Sequence, residues 1–378
     1  MPNNPYDINK IFGEMEQNLM ASYKRNMSKH TADELKEGFK WEMWQANKLR
    51  DMKAYSAENR VIIDKFTKRA RDASTGILKN SFGNGKDTAD TLLSSLGTSI
   101  SGEEAFGKMN RRKMDALLQA AGNDLNKVRS ATLRMTDDAY RQIIYKSQLM
   151  HAAGGQTLRQ SVDMASKDFL ANGINAIVYS NGARMNIASY AEMAIRNSSK
   201  KAYLTGEGAR QAEWGVTLVQ VTSYGACSDI CLPLQGKVYV DDVYAGGKEG
   251  DGAYPLLSTA MSEGLYHPNC RHTQGAYFEG ISEPYEAPST ESVAKNRENY
   301  KVEQRQRGIE RNIRKYKRVA QGSLDPKNVE KANGKVRAWQ GEMRQHLNDN
   351  PELSRRYRNE KTYGIPVEPT KVSTMTLN

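Results

Sequence analysis

The chain contains three cysteines, Cys227, Cys231 and Cys270, and all of them fall in one short stretch. Cys227-Ser-Asp-Ile-Cys231 sets two thiols four residues apart, and His267-Pro-Asn-Cys270-Arg-His272 follows downstream. The pattern C-x3-C…H-x2-C offers three thiolates and one imidazole, the soft and borderline donors that tetrahedral Zn2+ prefers. Two close pairs on separate turns let a small, loop-rich unit close around one ion, which then supplies folding energy that a sparse core lacks. Four protein ligands, Cys227, Cys231, His267 and Cys270, leave no open position, so the expected site is structural. Pro268 and Asn269 favour a tight turn that brings His267 to Cys270. His272 offers the same imidazole, and the sequence does not choose between the two. The plain alternative is three buried thiols and a surface histidine with no metal.

Catalysis at such a metal would need an open coordination position and a general base. Asp229, Asp241, Asp242 and Glu263 qualify by proximity alone. None sits in an H-E-x-x-H or H-x-E…C-x-x-C pattern. There is no Walker loop and no G-x-S-x-G. The glycine-rich run Gly246–Gly252 lacks phosphate-loop spacing and a following helix, so it reads as an inserted loop. No catalytic residue is expected.

Around the cysteines the chain changes from helix to strand. Residues 215–223 (GVTLVQVTS) alternate and are β-branched, Lys237–Val240 and His272–Phe278 are further strand candidates, and Ile174–Tyr179 is another short one. Ile187–Ala202 has helical spacing. Upstream, Thr31-Ala-Asp-Glu34 forms a capping box. An apolar stripe follows through Leu35, Phe39, Met43, Ala46, Leu49, Met52, Tyr55, Ile62, Phe66 and Ala70, widened by Trp41 and Trp44. This predicts an amphipathic helix of about forty residues that packs on a partner. Thr75–Gly107 is rich in Gly, Ser, Thr and Asn and reads as loop or short helices. The helical pattern returns from Arg111, restarts at Met135-Thr-Asp-Asp138 and breaks at Gly154-Gly155. Ser282–Thr290 is a Pro-bearing linker, and two charged helices follow, the second opened by Asp325-Pro326.

The expected fold is therefore α+β and predominantly α-helical. It has long N-terminal helices (1–135), a small zinc-stabilised α+β domain (136–286), a basic helical segment (287–362) and a tail (363–378). Only 38% of the 378 residues are hydrophobic and the mean hydropathy is -0.74, which is polar for a compact domain and favours assembly against partners. The net charge of +11 points to an acidic partner, with nucleic acid the first candidate. Residues 291–361 hold nineteen Lys and Arg against ten Asp and Glu, so this segment carries nine of the eleven surplus charges. Arg305, Arg307, Arg311, Arg314, Lys315, Lys317 and Arg318 are the candidate contacts to nucleic acid or an acidic protein surface. No apolar run is long enough for a bilayer and the N-terminus lacks a signal-peptide pattern, so synthesis and retention in a cytosol are expected.

Several blocks carry a family resemblance: Tyr190-Ala-Glu-Met-Ala-Ile-Arg196, Gln235-Gly-Lys-Val-Tyr239, Tyr254-Pro-Leu-Leu, Asn269-Cys-Arg-His-Thr273 and Phe278-Glu-Gly-Ile-Ser-Glu-Pro284. The arginine-rich run Gln304–Arg318 and the later Lys335–Gln340 continue it. In order and spacing, residues 135–362 resemble the phage minor capsid protein 2 family, within the Mu-F-like head morphogenesis group. The resemblance implies a low-copy structural component of a tailed-phage head. It would sit inside the virion near the portal, with portal, major capsid or scaffold protein and packaged double-stranded DNA as partners and no membrane contact. It would be made in the host bacterial cytoplasm. Two other classes compete with that reading, a metal-dependent hydrolase or nuclease and a zinc-stabilised nucleic-acid-binding module.

Overall fold

A computed structural model describes residues 4–29, 41–95, 104–152, 157–282, 286 and 288–362. The capping box at Thr31, the side chains of Leu35, Phe39, Trp41 and Met43 and the Gly154-Gly155 break lie outside the described residues. Among the described residues there are eight α-helices and two small sheets, so the chain is α+β and predominantly helical.

Helix α1 (Asp7–Ser28) and two very long helices, α2 (Trp41–Ser95) and α3 (Glu104–Ala152), pack with α4 (Leu158–Asn172) and α5 (Ile187–Glu213). Their core includes Phe12, Met15, Trp44, Tyr55, Ile63, Ile77, Tyr140, Val162 and Ile195, and Tyr55 stacks on Tyr140 at 4.1 Å. The expected stripe of α2 faces the core at Trp44, Met52, Tyr55, Ile62, Phe66 and Ala70, but not at its start. Leu49 is 50% exposed and Ala46 is exposed, while Lys48 is fully buried. Its ammonium donates to the carbonyls of Asn26 and Lys29, so a cation caps the negative end of α1 from a position expected to face solvent.

Two further expectations fail along these helices. Thr75–Ser95 is helix, not loop. Its hydroxyls do not break the helix because they bond back one turn: Thr75 to Arg71 O, Ser81 to Ile77 O, Thr88 to Asn84 O and Thr91 to Asp87 O, at 2.8–3.1 Å. Likewise α3 runs straight through Met135–Asp138, with the Thr136 hydroxyl on Thr132 O at 3.0 Å. Residues 135 and 136, where the first unit was expected to end, thus lie inside a continuous helix.

Strands β1 (Ile177–Val178) and β2 (Arg184–Met185) form a minimal hairpin before α5. In the second sheet β3 (Leu218–Val221) is central, flanked antiparallel by β4 (Val238–Val240) and β5 (Gln274–Ala276). Short α6 (Leu257–Ser262) covers it, and Leu204, Val219, Val221, Tyr239, Leu257 and Tyr266 form its core with the three cysteines. The strands sit inside the segments expected from β-branched alternation and are shorter. Helices α7 (Thr290–Gly322) and α8 (Pro326–Asp349) pair around a thin core of Ile309, Ile313 and Met343. Asp163 of α4 fixes their connection by accepting the Leu324 and Asp325 amides at 2.7 and 3.0 Å and the Asn328 side chain at 3.0 Å. No described helix is long and apolar enough to cross a membrane.

Candidate metal centre

The loop after β3 carries Cys227 and Cys231, and the turn after α6 carries His267 and Cys270. Gly264 makes their approach feasible. It has φ +116°, and a Cβ there would stand 2.3 Å from Ile230 Cγ2, so only glycine lets the histidine turn close on the cysteine loop. Tyr266 takes up a left-handed conformation (φ 59°), held by its hydroxyl donating to Gln274 at 2.9 Å. The turn expected from Pro268-Asn269 is present, with Cys270 N donating to His267 O at 2.8 Å.

Cys231 Sγ, a ring nitrogen of His267 and Cys270 Sγ all lie within 4.8 Å of one another. Sulfurs about 2.3 Å from one tetrahedral ion stand closer together than that, so this spacing fits a single ion. The three cysteines are free and buried. Cys227, also expected as a ligand, is not one of that group, though its thiol is influenced by Cys231. His267 Nε2 is 3.5 Å from Cys231 Sγ and 3.3 Å from the Ser228 hydroxyl. His272, almost fully buried, has Nδ1 3.2 Å from Cys270 Sγ and Nε2 2.7 Å from Gln235 Oε1. That oxygen also accepts the Tyr224 amide, at 2.9 Å, so Nε2 of His272 carries a proton. None of Asp229, Asp241, Asp242 or Glu263 joins the group of ligand atoms. Asp229 pairs with Arg297 at 2.7 Å, Asp241 accepts the Val243 and Tyr244 amides and Gln274, and Asp242 accepts the Ser258 amide.

The electrostatics suit a cation. Hydrogen bonding to Cys231 lowers the Cys227 thiol, while the Cys231 thiol and burial push Cys270 up to about 11. Cys231 is lowered on balance: its contact with Cys227 raises it, and the bonds from Cys270 and His272 outweigh that and burial. Burial and Lys200 keep His267 below the ordinary histidine value. Burial also lowers His272, but its bonds to Cys231 and Cys270 outweigh this and lift it to about 9. Two crowded, buried thiols thus contend for negative charge that a metal would relieve.

Residues that the sequence did not single out hold the site from behind. Asn296 of α7 accepts the Cys227 amide and donates to the Cys227 carbonyl. Lys200 of α5 donates to Cys270 O at 2.8 Å and His272 O at 3.3 Å. Arg271 and Tyr224 both reach Glu303 of α7. Gln235 lay within a motif block, but nothing in the pattern around Asn296 or Lys200 marked them.

The basic candidates of α7 divide. Arg318 is buried and donates to Leu170 O and Ala171 O, with its guanidinium 3.9 Å from Glu16. Arg314 donates to Asn359 O, Lys317 to Glu360 O at 2.8 Å, and Arg307 pairs with Glu303 at 2.8 Å. Arg305 pairs with Glu342 and is well exposed. Arg311 and Lys315 line a cavity between α1 and α7.

The family model for phage minor capsid protein 2 matches residues 3–348, so the chain belongs to that family. The match takes in the N-terminal helices, well upstream of the blocks that carry the sequence resemblance. A structural protein of Lactococcus phage LL-H is 27% identical over 231 residues, covering 59% of this chain and 62% of that protein. The chain therefore covers less than two thirds of that relative. No solved structure matches.

Proposed function

We propose that this minor capsid family member is a low-copy structural component of a tailed-phage head, made in the host cytoplasm and held inside the virion near the portal. The family match over residues 3–348, with a structural protein as relative, carries the reading. Long helices that present wide lateral surfaces suit contacts with portal, major capsid or scaffold protein. The surplus positive charge suits packaged DNA, whose phosphates are neutralised without reading sequence. The chain acts as a scaffold and not as an enzyme: Asp229 pairs with an arginine, and Asp241 and Asp242 are taken up by backbone amides. Cross-linking mass spectrometry on purified virions tests the placement. Links to portal peptides are expected, and links confined to tail proteins would overturn it.

Within it we assign a structural zinc to Cys227, Cys231, His267 and Cys270. Three thiolates and one neutral imidazole satisfy the ion, and His272 supports them from behind, donating Nδ1–H to Cys270 and Nε2–H to Gln235. Ligation by His267 Nε2 moves its proton to Nδ1 and gives up the 3.3 Å contact from the Asn269 amide. The units we draw are the helical scaffold through α5, the Cys/His unit up to 282, and the α7–α8 pair. Elemental analysis of the purified full chain should find one zinc, lost in Cys231→Ser and His267→Ala but kept in His272→Ala. Loss in His272→Ala with retention in His267→Ala would exchange the two histidines, and no zinc in the wild type would dismiss the site.

A further inference from the structure

Between α1, the start of α5, α7 and the segment 356–362 lies a cleft of two chambers, about 560 Å3 and about 300 Å3, joined where Asn9, Ser189, Arg311 and Arg314 line both. Seven arginines and only two glutamates line the smaller chamber. Some of this charge is met internally, as in Arg196 with Glu192 at 3.2 Å. Arg311 and Arg356 have no side-chain hydrogen bond or ion pair among the described residues, and both are exposed to the chamber's solvent. Burial and the nearby Arg318 hold Arg314 below the usual guanidinium range. The larger chamber adds Arg184, Lys315 and Lys361. On its wall Gln17, 7% exposed, keeps a buried Nε2 donor with no hydrogen-bond partner among the described residues. Donors without acceptors, inside a concave site with a large excess of positive side chains, call for an anion.

We propose that this cleft binds a phosphodiester strand, a single nucleic-acid strand or an unpaired end, through successive phosphates. With chambers of about 560 Å3 and about 300 Å3, the cleft has room for successive nucleotides of one strand and not for a duplex. Guanidinium forks match phosphate oxygens in pairs. Tyr6 favours nucleic acid over an acidic peptide. Its half-buried ring lines the smaller chamber beside Arg358 at 4.4 Å and Arg196 at 5.7 Å, and aromatic rings set among arginines stack bases. The inference rests on the DNA contact of the proposed function and gives it a place in this cleft.

The test is fluorescence anisotropy with the zinc-loaded full chain. The probes are labelled oligothymidylate of about twelve nucleotides and a duplex of the same length, with polyglutamate as competitor. Arg311→Ala/Arg356→Ala breaks no internal bond. It is expected to weaken oligothymidylate binding about ten-fold and to lower the log–log salt slope by about 0.7 for each phosphate that is no longer neutralised. Arg305→Ala, outside the cleft, is expected to cost about two-fold, as one screened charge. An equal loss in both variants, or displacement by polyglutamate as readily as by unlabelled oligothymidylate, would overturn the proposal. If the double variant binds like the wild type while Arg305→Ala weakens duplex binding, the cleft is refuted and the DNA contact stands. If the wild type binds neither probe, both fall.

Discussion

The side chain of Asn296 closes both backbone groups of Cys227: its Oδ1 accepts the amide at 2.9 Å and its Nδ2 donates to the carbonyl at 3.0 Å. Helix α7 therefore acts as the back wall of the Cys227–Cys231 loop. Both partners are buried, so deletion leaves an amide and a carbonyl unsatisfied. Asn296→Ala should cost about 1–3 kcal/mol and speed zinc release to a chelator. Asn296→Asp, which keeps the acceptor but faces a carbonyl with a carboxylate, should be no better. Unchanged release rates in both would show that the loop holds itself.

Helices α2 and α5 cross at backbone contact. A Cβ on Gly85 would lie 2.1 Å from Tyr203 O, and one on Gly206 would lie 2.2 Å from Phe82 O. Gly206→Ala must push the helices apart and is expected to cost at least about 2 kcal/mol. Gly83→Ala, close to Gly85 on α2 but facing open space, should be neutral or stabilise by up to about 1 kcal/mol. Thermal denaturation of the two variants, read side by side, checks the crossing.

Asp163 anchors the α7–α8 connection with three hydrogen bonds at 6% exposure. Asp163→Asn retains the shape but turns an acceptor pair into a mixed group. A loss of about 2 kcal/mol is expected, with faster proteolytic nicking near Ser323. Nicking at the wild-type rate would contradict the anchor.

Glu207, on α5 and 3% exposed, is raised to about 8 by burial and by the nearby Asp241 carboxyl, itself raised chiefly by burial. The folded state then holds a proton that the unfolded chain releases near 4.5. The unfolded state binds fewer protons between these values, so stability falls as pH rises from about 4.5 to about 8, by at most about 1.4 kcal/mol per unit. Glu207→Gln should flatten that slope in denaturant titrations. A wild-type slope of opposite sign in this window would refute a protonated Glu207.

The approach of the cysteine loop to the histidine turn, and the strands around them, were legible because their signals are local. Cysteine spacing, the Pro268-Asn269 turn and β-branched alternation at 218–221 need no knowledge of the rest of the chain. The misread parts depend on tertiary contact. Gly85 looks like a helix breaker until α5 is laid against it. Lys48 looks solvent-facing until the carbonyls of α1 arrive beneath it. The arginines of α7 form a surface stripe in sequence, yet Arg318 lies against α4 carbonyls and Arg314 turns to residue 359. Asn296 is one polar residue among many in a charged helix, and only docking makes it a clamp.

The central claim, that the chain is a minor structural component of the phage head, is tested most directly by its copy number in particles. Quantitative mass spectrometry of purified virions, before and after genome release, is predicted to find the protein at a few copies per particle. Its absence from virions, with abundance in infected cells, would contradict the account.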